Sequence, residues 1–260
     1  MVKQDSIFKT SNIVIQLKKQ QNLARIDQLL VALSLVPSRE KAQALILARA
    51  VEVNGAVVTH PSIRVSREAT INLIEKPQFV SRGGHKLAYA LERTEISVMD
   101  RVCLDVGIST GGFTDCLLQS GAKRVIGIDV AYGEIDTKLR TDSRLMLFER
   151  TNARDLPELP SEIDLVVMDV SFISATKILP SVFDSVNRDM DLLILVKPQF
   201  EAERSDVKKG GLIFDPEIHA RTVSKVGKSA IELGARVRGV IRSPITGAAG
   251  NREFFLWLTK

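Results

Sequence analysis

Residues 101–130 constrain the fold of this chain more than any other stretch. Their sequence is RVCLDVGISTGGFTDCLLQSGAKRVIGIDV, in which a short apolar run leads into a glycine-rich turn, a helical pattern and a second apolar run that ends on Asp129. This order predicts a strand, a turn, a helix and a second strand, which together form half of a nucleotide-cofactor site. Glycine lets the backbone come close to a ligand, and the first turn of a helix offers free amide donors.

The turn favours one cofactor over another. Asp129 follows Gly107 by 22 residues, the spacing at which a carboxylate can accept hydrogen bonds from ribose hydroxyls. The turn departs from the dinucleotide fingerprint because Asp105 lies within it. A carboxylate repels pyrophosphate but attracts the ammonium of an amino-acid moiety, which favours S-adenosylmethionine (SAM) over NAD. A glycine turn that serves helix packing alone, with no ligand, is the third interpretation.

Strand and helix patterns alternate after residue 130, which predicts a largely parallel sheet covered by helices. We therefore expect an α/β fold, with a Rossmann-like, doubly wound domain behind a small α+β domain. Charged residues lie at the predicted carboxyl ends of four strands: Asp105, Asp129, Asp169 and Lys197. Ligands of open α/β sheets bind beyond this edge, so these four residues are functional candidates. One charge at a strand end is routine, but four on one edge are hard to attribute to packing.

The net charge of +5 is concentrated in the first third of the chain. Residues 1–80 contain 11 Lys and Arg against 6 Asp and Glu, whereas residues 81–260 contain 25 of each sign. A basic module on a neutral body favours a nucleic-acid partner, although a solvated basic surface would give the same counts.

Composition excludes several other classes of protein. The two cysteines, Cys103 and Cys116, have no C-x-x-C spacing and no histidine nearby, so we expect neither a disulfide framework nor a metal site. The N-terminus has no apolar core of signal-peptide length, and no apolar run approaches the roughly 18 to 20 residues that cross a bilayer. We therefore expect a soluble, cytoplasmic protein without a membrane partner.

Residues 25–55 predict two helices followed by a hairpin. Helical spacing begins at Ile26, Pro37 and Ser38 open a second helix, and Asn54-Gly55 predicts a hairpin. The sequence RIDQLLVALSLVPSREKAQALILARAVEVNG resembles the domain first seen in ribosomal small-subunit protein four, whose second helix and hairpin present basic residues to folded RNA. We predict that the RNA-binding residues are Arg25, Arg39, Lys41, Arg49, Asn54 and Arg82.

The predicted domain organisation follows from these patterns. We expect a flexible arm over residues 1–22, the RNA-binding domain over 23–80 and a catalytic domain over 81–260, with the glycines after Arg82 forming a linker or loop. Arg49-Ala50 departs from the family, which commonly has a glycine where the second helix ends. A missing glycine weakens the local preference for ending the helix.

Four segments of the catalytic domain resemble the signatures of the FtsJ-like ribose methyltransferases: GISTGGFTD, MDVSFIS, LVKPQFE and SPITGAAGNREF. Residues 23–260 as a whole resemble the TlyA family of ribosomal RNA 2′-O-methyltransferases, historically named haemolysins. In that superfamily a Lys-Asp-Lys-Glu tetrad orients and activates the target ribose hydroxyl. The resemblance implies that the tetrad is Lys86, Asp169, Lys197 and Glu253.

The resemblance also implies a role for each group. Lys197 would help to deprotonate the 2′-hydroxyl or stabilise the developing alkoxide. Asp169 and Lys86 would hold Lys197, and Glu253 would position the ribose or Lys86. Burial at the end of an apolar run favours the neutral form of Lys197, which can accept a proton. A neighbouring Asp169 favours the charged form of Lys197, and the sequence does not decide between the two forms. The residues expected to bind SAM are Asp105, Gly107, Ser109, Thr110, Gly111, Gly112 and Phe113 for the methionine part, Asp129 for the ribose, and Asn152 and Arg154 near the adenine.

The expected substrate is ribosomal RNA or a ribosomal subunit, with cytidine as the modified nucleotide because the family acts on cytidine ribose. Two alternatives come from other classes: a membrane-active haemolysin, which the missing signal and spanning segments oppose, and a non-catalytic ribosome assembly factor that retains SAM. The modified nucleotide, the subunit and the oligomeric state are left open by the sequence.

Overall fold

In the computed structural model, the described residues are 23–47, 49–74, 78–159, 162–186, 190–208, 210–247 and 249–260. The chain divides into two compact units between Pro77 and Gln78, and each is described by itself. The arm predicted over residues 1–22 lies outside the described residues.

The first unit contains two helices and five short strands. They are β1 (Leu23–Arg25), α1 (Ile26–Ala32), α2 (Arg39–Leu47), β2 (Val51–Val53), β3 (Ala56–Val57), β4 (Arg64–Ser66) and β5 (Ile71–Leu73). Strand β2 pairs with both β3 and β5, and β1 pairs with β4. The two helices and the hairpin match the sequence prediction. The β1–β4 pair was not predicted, because strands of three residues are too short to show an alternating pattern.

Two backbone positions in this unit require a left-handed conformation. Asn54 (φ 50°) and Gly55 (φ 84°) both have positive φ, as a tight hairpin turn with the twist of its strands requires. Arg49 also has a positive φ of 57°, two residues after the helix end at Leu47. The chain thus adopts the helix-ending geometry that favours glycine without having a glycine there.

The second unit is a seven-stranded sheet with helices on both faces. Its elements are α3 (Arg82–Thr94), β6 (Val102–Val106), α4 (Gly112–Gln119), β7 (Arg124–Ile128), α5 (Thr137–Arg140), β8 (Leu145–Phe148), β9 (Leu165–Met168), α6 (Leu179–Ser185), β10 (Asp191–Val196), α7 (Pro198–Glu201), α8 (Pro216–Glu232), β11 (Arg236–Arg242) and β12 (Phe254–Thr259). The strand order is β11-β12-β10-β9-β6-β7-β8, in which β12 runs antiparallel to both neighbours and the other pairs are parallel. The predicted α/β class and mostly parallel sheet are confirmed.

The strands are buried on both faces, as their continuous apolar sequences predict. On one face, residues such as Leu104 and Ile126 pack with α6 and α8, and on the other, Cys103 and Val125 pack with α3, α4 and α5. Among the described residues, no helix is both long and apolar enough to cross a membrane.

The linker predicted around Gly83 and Gly84 is wrong, because both glycines lie in the first turn of α3. Ser81 caps this helix, its hydroxyl accepting a hydrogen bond from the Gly83 amide at 3.3 Å. A Cβ at Gly84 would lie 2.2 Å from the Phe79 side chain, and one at Gly112 in α4 would lie 2.1 Å from Ser81 Oγ. Gly84 therefore makes room for Phe79, and Gly112 allows α4 to pack closely against the start of α3, contacts that sequence spacing does not reveal.

Candidate active site

A cleft of about 610 Å³ lies at the carboxyl ends of the parallel strands. Ten of the predicted site residues line it: Arg82, Lys86, Gly107, Ser109, Thr110, Gly112, Phe113, Asp169, Lys197 and Glu253. All four residues of the proposed tetrad are in this set, although they are dispersed between positions 86 and 253 of the chain. Of the described cofactor candidates, Asp105, Gly111, Asp129, Asn152 and Arg154 lie outside the lining.

The sheet topology explains why the tetrad residues converge. Asp169 follows β9 and Lys197 follows β10, so both lie at the carboxyl edge. Glu253 precedes β12, and because β12 is antiparallel its start lies at the same edge, where Phe254 pairs with Val196. Lys86 reaches this edge from the second turn of α3.

Lys86 and Glu253 form a buried ion pair. Lys86 Nζ donates a hydrogen bond to Glu253 Oε2 at 2.5 Å, and the two side chains are 9% and 2% exposed. Gly247 makes room for this carboxylate, since a Cβ at that position would lie 2.5 Å from Glu253 Oε1. A buried pair of this kind is costly to break from one side, because the remaining charge is left without compensation.

Lys197 and Asp169 form a second ion pair in the same cleft. Lys197 Nζ lies 2.6 Å from Asp169 Oδ1 and donates a hydrogen bond to Ser171 Oγ at 2.7 Å. The side chains of Lys197 and Asp169 are 11% and 21% exposed, so both groups are largely, but not wholly, removed from water. Among the described residues, Ser171 accepts one of the three N–H donors of this ammonium, whereas the contact with Asp169 Oδ1 is an ion pair that lacks hydrogen-bond geometry.

The glycine turn is shaped by close backbone contacts. Gly107 has φ 86°, and a Cβ there would lie 2.7 Å from the Asp169 carbonyl oxygen. Gly111 has φ 94°, and its Cβ would lie 2.3 Å from Leu139 Cδ1. Both glycines thus combine a left-handed backbone with a lack of space for any side chain, and they leave the start of α4 open to the cleft.

Asp105 lies within β6 and is fully buried. Its Oδ2 accepts a hydrogen bond from Thr114 Oγ1 at 2.7 Å, whereas its Oδ1 has no hydrogen-bond partner among the described residues. Burial, with a smaller contribution from the charge of Asp169, raises the pKa of Asp105 to about 7. The structure thus places the carboxylate below the turn, and its contact with the methionine part of SAM stays a prediction.

The other three cofactor candidates hold local turns. Asp129 accepts hydrogen bonds from the amides of Ser109 at 2.7 Å and Ala131 at 2.8 Å, which ties the glycine turn to the end of β7. Asn152 Oδ1 accepts from the Arg154 amide at 3.1 Å in the segment that follows β8. Because β8 pairs with β7, this segment lies at the sheet edge beside Asp129, and the place of Asn152 and Arg154 near the adenine stays a prediction.

Two of the predicted RNA-binding residues of the first unit, Arg25 and Arg39, bind a buried aspartate. Asp27 is 0% exposed and accepts hydrogen bonds at 3.0 Å from Arg25 and Arg39 and at 3.2 Å from Gln43. The hydrogen bonds from Arg25 and Arg39 outweigh burial and hold the pKa of Asp27 well below its usual range. The two arginine side chains are still 36% and 49% exposed, so they can also meet a ligand.

The remaining RNA-binding candidates differ in whether their side chains are already hydrogen-bonded within the chain. Lys41 and Arg49 are exposed, as is Arg82 at the start of α3 in the second unit. Asn54 is occupied by its own hairpin, where its side-chain oxygen accepts from the Thr70 amide at 2.9 Å.

Several cleft residues were not predicted from the sequence. Phe172 is 91% exposed with a positive φ of 64°, and its ring lies 5.2 Å from that of Phe200. Asn251 is buried and binds the backbone of the 211–213 segment, donating to the Gly211 carbonyl at 2.7 Å and accepting from the Ile213 amide at 2.9 Å. In the sequence, the one available signal for Phe172 was an aromatic residue shortly after the strand-end Asp169.

Glu201 is a further buried carboxylate that was not predicted. It accepts hydrogen bonds from Ser174 Oγ at 2.5 Å and the Ala175 amide at 2.6 Å, so it joins the end of α7 to the segment after β9. Burial raises the pKa of Glu201. The loops that carry Lys197 and Asp169 are therefore fixed to each other at two points, Glu201 and the Lys197–Ser171 hydrogen bond.

Comparison with known proteins identifies both units. The sequence model of the FtsJ-like methyltransferase family matches residues 79–260, and the sequence model of the S4 domain family matches residues 24–71. The 16S/23S rRNA (cytidine-2′-O)-methyltransferase TlyA of Mycobacterium tuberculosis is 45% identical over 239 residues, which cover 90% of this chain and 89% of that protein. Hemolysin A of Brachyspira hyodysenteriae is 42% identical over 236 residues, covering 88% of this chain and 97% of that protein.

Solved structures agree with these relatives. A hemolysin-named protein from Streptococcus thermophilus superposes with a TM-score of 0.70 at 36% identity, covering 93% of this chain and 90% of that one.

Proposed function

The chain belongs to the family of FtsJ-like methyltransferases, and from this membership and the cleft geometry we propose that it methylates a ribose 2′-hydroxyl in ribosomal RNA. The observation that carries the proposal is the convergence of two ion pairs, Lys86–Glu253 and Lys197–Asp169, in one cleft with the glycine turn. Methyl transfer from SAM needs alignment of the acceptor oxygen and removal of one proton, and these groups can supply both.

The chain is a SAM-dependent methyltransferase, and its residues fit that cofactor. Gly107, Ser109, Thr110, Gly112 and Phe113 line the cleft where α4 begins, with Asp105 and its unpartnered oxygen below them. We propose that this group holds the methionine part, that Asp129 holds the ribose, and that Asn152 and Arg154 lie near the adenine. When bound, SAM supplies an electrophilic methyl group on a positively charged sulfur.

Lys197 acts on the acceptor oxygen in this proposal. Ser171 accepts one of its N–H donors and the charge of Asp169 holds the ammonium in place, so a further donor is available to the ribose 2′-oxygen. A donor held in this way stabilises negative charge as it develops on that oxygen, and the fixed loops prevent the donor from relaxing away. Of the two roles that the sequence left open, the ion pair of Lys197 with Asp169 and its hydrogen bond to Ser171 support stabilisation of the alkoxide.

Lys86 and Glu253 position the acceptor rather than react with it. Their pair is almost fully buried, which makes it a rigid wall of the cleft beside Gly247. Glu253 fixes Lys86, and Lys86 brings a fixed positive charge to the place where the alkoxide develops.

Phe172 and Phe200 are proposed to receive the base of the target nucleotide. A phenylalanine that is 91% exposed in a strained backbone conformation is unusual, and such strain is found where function maintains it. Bases stack on aromatic side chains without strong sequence preference, at about 1–3 kcal/mol per base. The platform lines the same cleft as Lys197, so a nucleotide taken out of its stack would present its ribose to the tetrad.

The RNA partner is inferred from the first unit and from the relatives. The S4-domain match and the exposed Lys41 and Arg49 support binding to folded RNA, and cytidine is proposed because the relative from Mycobacterium tuberculosis is a cytidine-2′-O-methyltransferase. Ribosomal RNA or ribosomal subunits are proposed as partners, and a cytoplasmic location would follow from such a substrate.

The test is transfer of labelled methyl groups from SAM to isolated small subunits, isolated large subunits, intact ribosomes and naked ribosomal RNA. We expect label at one site that resists alkaline cleavage, because a methylated 2′-oxygen cannot attack the adjacent phosphate. Lys197→Ala should abolish labelling while calorimetry shows SAM binding retained. Labelling that survives this substitution would favour another acceptor, and SAM binding without label on any RNA would favour the non-catalytic alternative.

A further inference from the structure

Strand β11 forms one edge of the seven-stranded sheet, and it is unusually rich in arginine. Residues 233–252 contain four arginines and no acidic residue, although residues 81–260 as a whole contain equal numbers of the two charges. We call Arg236, Arg238, Arg242 and Arg252 the basic edge. All four are exposed.

The guanidinium groups of the basic edge are free of ion pairs within the described part of the chain. Arg101, Arg140, Arg144 and Arg221 elsewhere in this unit each pair with a carboxylate. Arg238 instead lies over the Trp257 ring, with its Cζ atom 5.9 Å from the ring centre. The positive charge of the edge is therefore available to an external anion.

The basic edge begins at the active-site cleft. Arg242 pairs with Phe254, the Ser243 amide donates to the Glu253 carbonyl at 2.9 Å, and Arg252 directly precedes Glu253. From Arg242 the strand runs away from the cleft to Arg236, a distance of about 20 Å at the usual rise per residue. A ligand that lies along this edge would enter the catalytic cleft at one end.

The arrangement of the side chains indicates the shape of the partner. Arg236 pairs with Thr259 and Arg242 with Phe254, so these two arginines are on opposite faces of the sheet. Arg238 lies at a bulge between Val237 and Gly239, where the strand leaves its regular register. Arginines on both faces of one edge fit a chain of anions that follows the edge better than a ligand that lies flat on one face.

On the premise of the proposed function, we propose that the basic edge is an RNA-binding surface that holds phosphates of the substrate next to the target nucleotide. Guanidinium groups donate paired hydrogen bonds to phosphate oxygens and lose less hydration than ammonium groups when they do so. A phosphate backbone is a linear series of anions, which matches both the charge and the length of the edge. This surface is additional to the basic residues of the S4-domain unit.

The arginines of the basic edge could also serve to protect the edge strand, and this role must be distinguished from RNA binding. Charged side chains on an edge strand also prevent it from pairing with the edge of another molecule, and Val237 and Val240 are 43% and 51% exposed there. Protection of this kind needs no RNA, so the two roles predict different measurements.

The test compares three variants of the full chain with the wild type. One carries Arg236→Gln, Arg238→Gln and Arg242→Gln, and a second carries lysine at the same three positions. The matched control, Arg93→Gln with Lys123→Gln and Arg124→Gln, removes the same charge from exposed residues distant from β11 in sequence. The dissociation constant for unmodified 23S ribosomal RNA made by transcription is measured by filter binding as a function of salt concentration.

We expect the glutamine variant to reduce the slope of log affinity against log salt by about two to three, because each phosphate contact contributes roughly 0.7–0.9. The lysine variant and the control should keep the wild-type slope. In methyl transfer, the KM for RNA should rise by about tenfold with kcat within about twofold, since the reacting groups are untouched. If the glutamine variant does not fold, Arg236→Gln alone should still reduce the slope by roughly 0.7–0.9.

An unchanged slope in the glutamine variant overturns the proposal, as does an equal loss in the control. Self-association of the glutamine variant with normal RNA binding assigns the arginines to edge protection. The binding measurement does not depend on catalysis. A wild-type chain that binds RNA through this edge but transfers no methyl group would therefore refute the proposed function and leave this surface standing.

Discussion

The buried pair of Lys86 and Glu253 predicts strong coupling between two residues that are 167 positions apart. We consider Lys86→Met, Glu253→Met and the double substitution. Each single change leaves one charge with 9% or less of its side chain exposed and no partner, which typically costs about 3–5 kcal/mol of unfolding free energy. The double change removes both charges and fills the space with apolar groups of similar volume, which is often neutral.

The expected result is therefore non-additive. A loss of 3–5 kcal/mol lowers the melting temperature of a unit this size by roughly 6–20 °C, and the double variant should melt within a few degrees of the wild type. Trp257 is the only tryptophan in the chain and lies on β12, so its fluorescence reports unfolding of the catalytic unit. Far-ultraviolet circular dichroism provides the comparison with the whole chain.

Activity is measured on the same three proteins to separate stability from catalysis. None of them should transfer methyl groups, including the stable double variant, because the fixed charge beside the acceptor oxygen is gone. A double variant that loses as much stability as the sum of the singles would refute the inference that the pair acts as a unit. A double variant that is stable and fully active would refute its role in the reaction.

Three further predictions concern single residues. Asp105→Asn should remove a pH dependence of folding stability. Burial raises the pKa of Asp105 from an ordinary value near 3.8 to about 7, so the unfolded chain loses this proton at a lower pH than the folded chain. The stability of the wild type therefore falls as pH rises from about 4 to about 7. The melting temperature of the variant relative to wild type should therefore increase across that window, and a constant difference would contradict it. Arg49→Gly should stabilise the first unit by about 1 kcal/mol through its positive φ, whereas Arg49→Ala should not, as measured by amide hydrogen exchange; equal effects would show that backbone strain is not the cause. Phe172→Ala should raise the KM for RNA by about 5- to 150-fold, corresponding to roughly 1–3 kcal/mol of stacking, with SAM affinity by calorimetry unchanged; a KM that does not move would exclude a stacking platform.

The sequence located most of the cleft because its residues are adjacent to strong local patterns. Asp169 and Lys197 each follow an apolar run, so the end of the strand and the position of the charge are read from the same few letters. The glycine turn was visible for the same reason. Sequence alone did not show that Asp105 would be buried below the turn, because a strand of five residues gives its ends only to within a residue or two.

The residues that were missed or misread depend on contacts between distant segments. Gly84 was interpreted as part of a linker, but its role is set by Phe79 and by packing of α3 on α4. Asn251 holds backbone groups 38 and 40 residues away, and Glu201 holds a loop 26 and 27 residues away. No spacing rule connects such positions in a single sequence, because the contact exists only after the strands have paired.

The register of β12 is itself part of the active site. Lys197 follows Val196, Glu253 precedes Phe254, and these two apolar residues form the last pair of the β10–β12 ladder. Since side chains alternate between the faces of a sheet, a shift of one residue would turn Glu253 to the opposite face and separate it from Lys86. Phe255 and Leu256 are almost fully buried on opposite faces, and Leu258 is fully buried, so a shift would place large apolar side chains in the wrong surroundings. The packing of an antiparallel strand against both faces thus determines where the Glu253 carboxylate lies, and the same contacts that stabilise the sheet hold the proposed tetrad together.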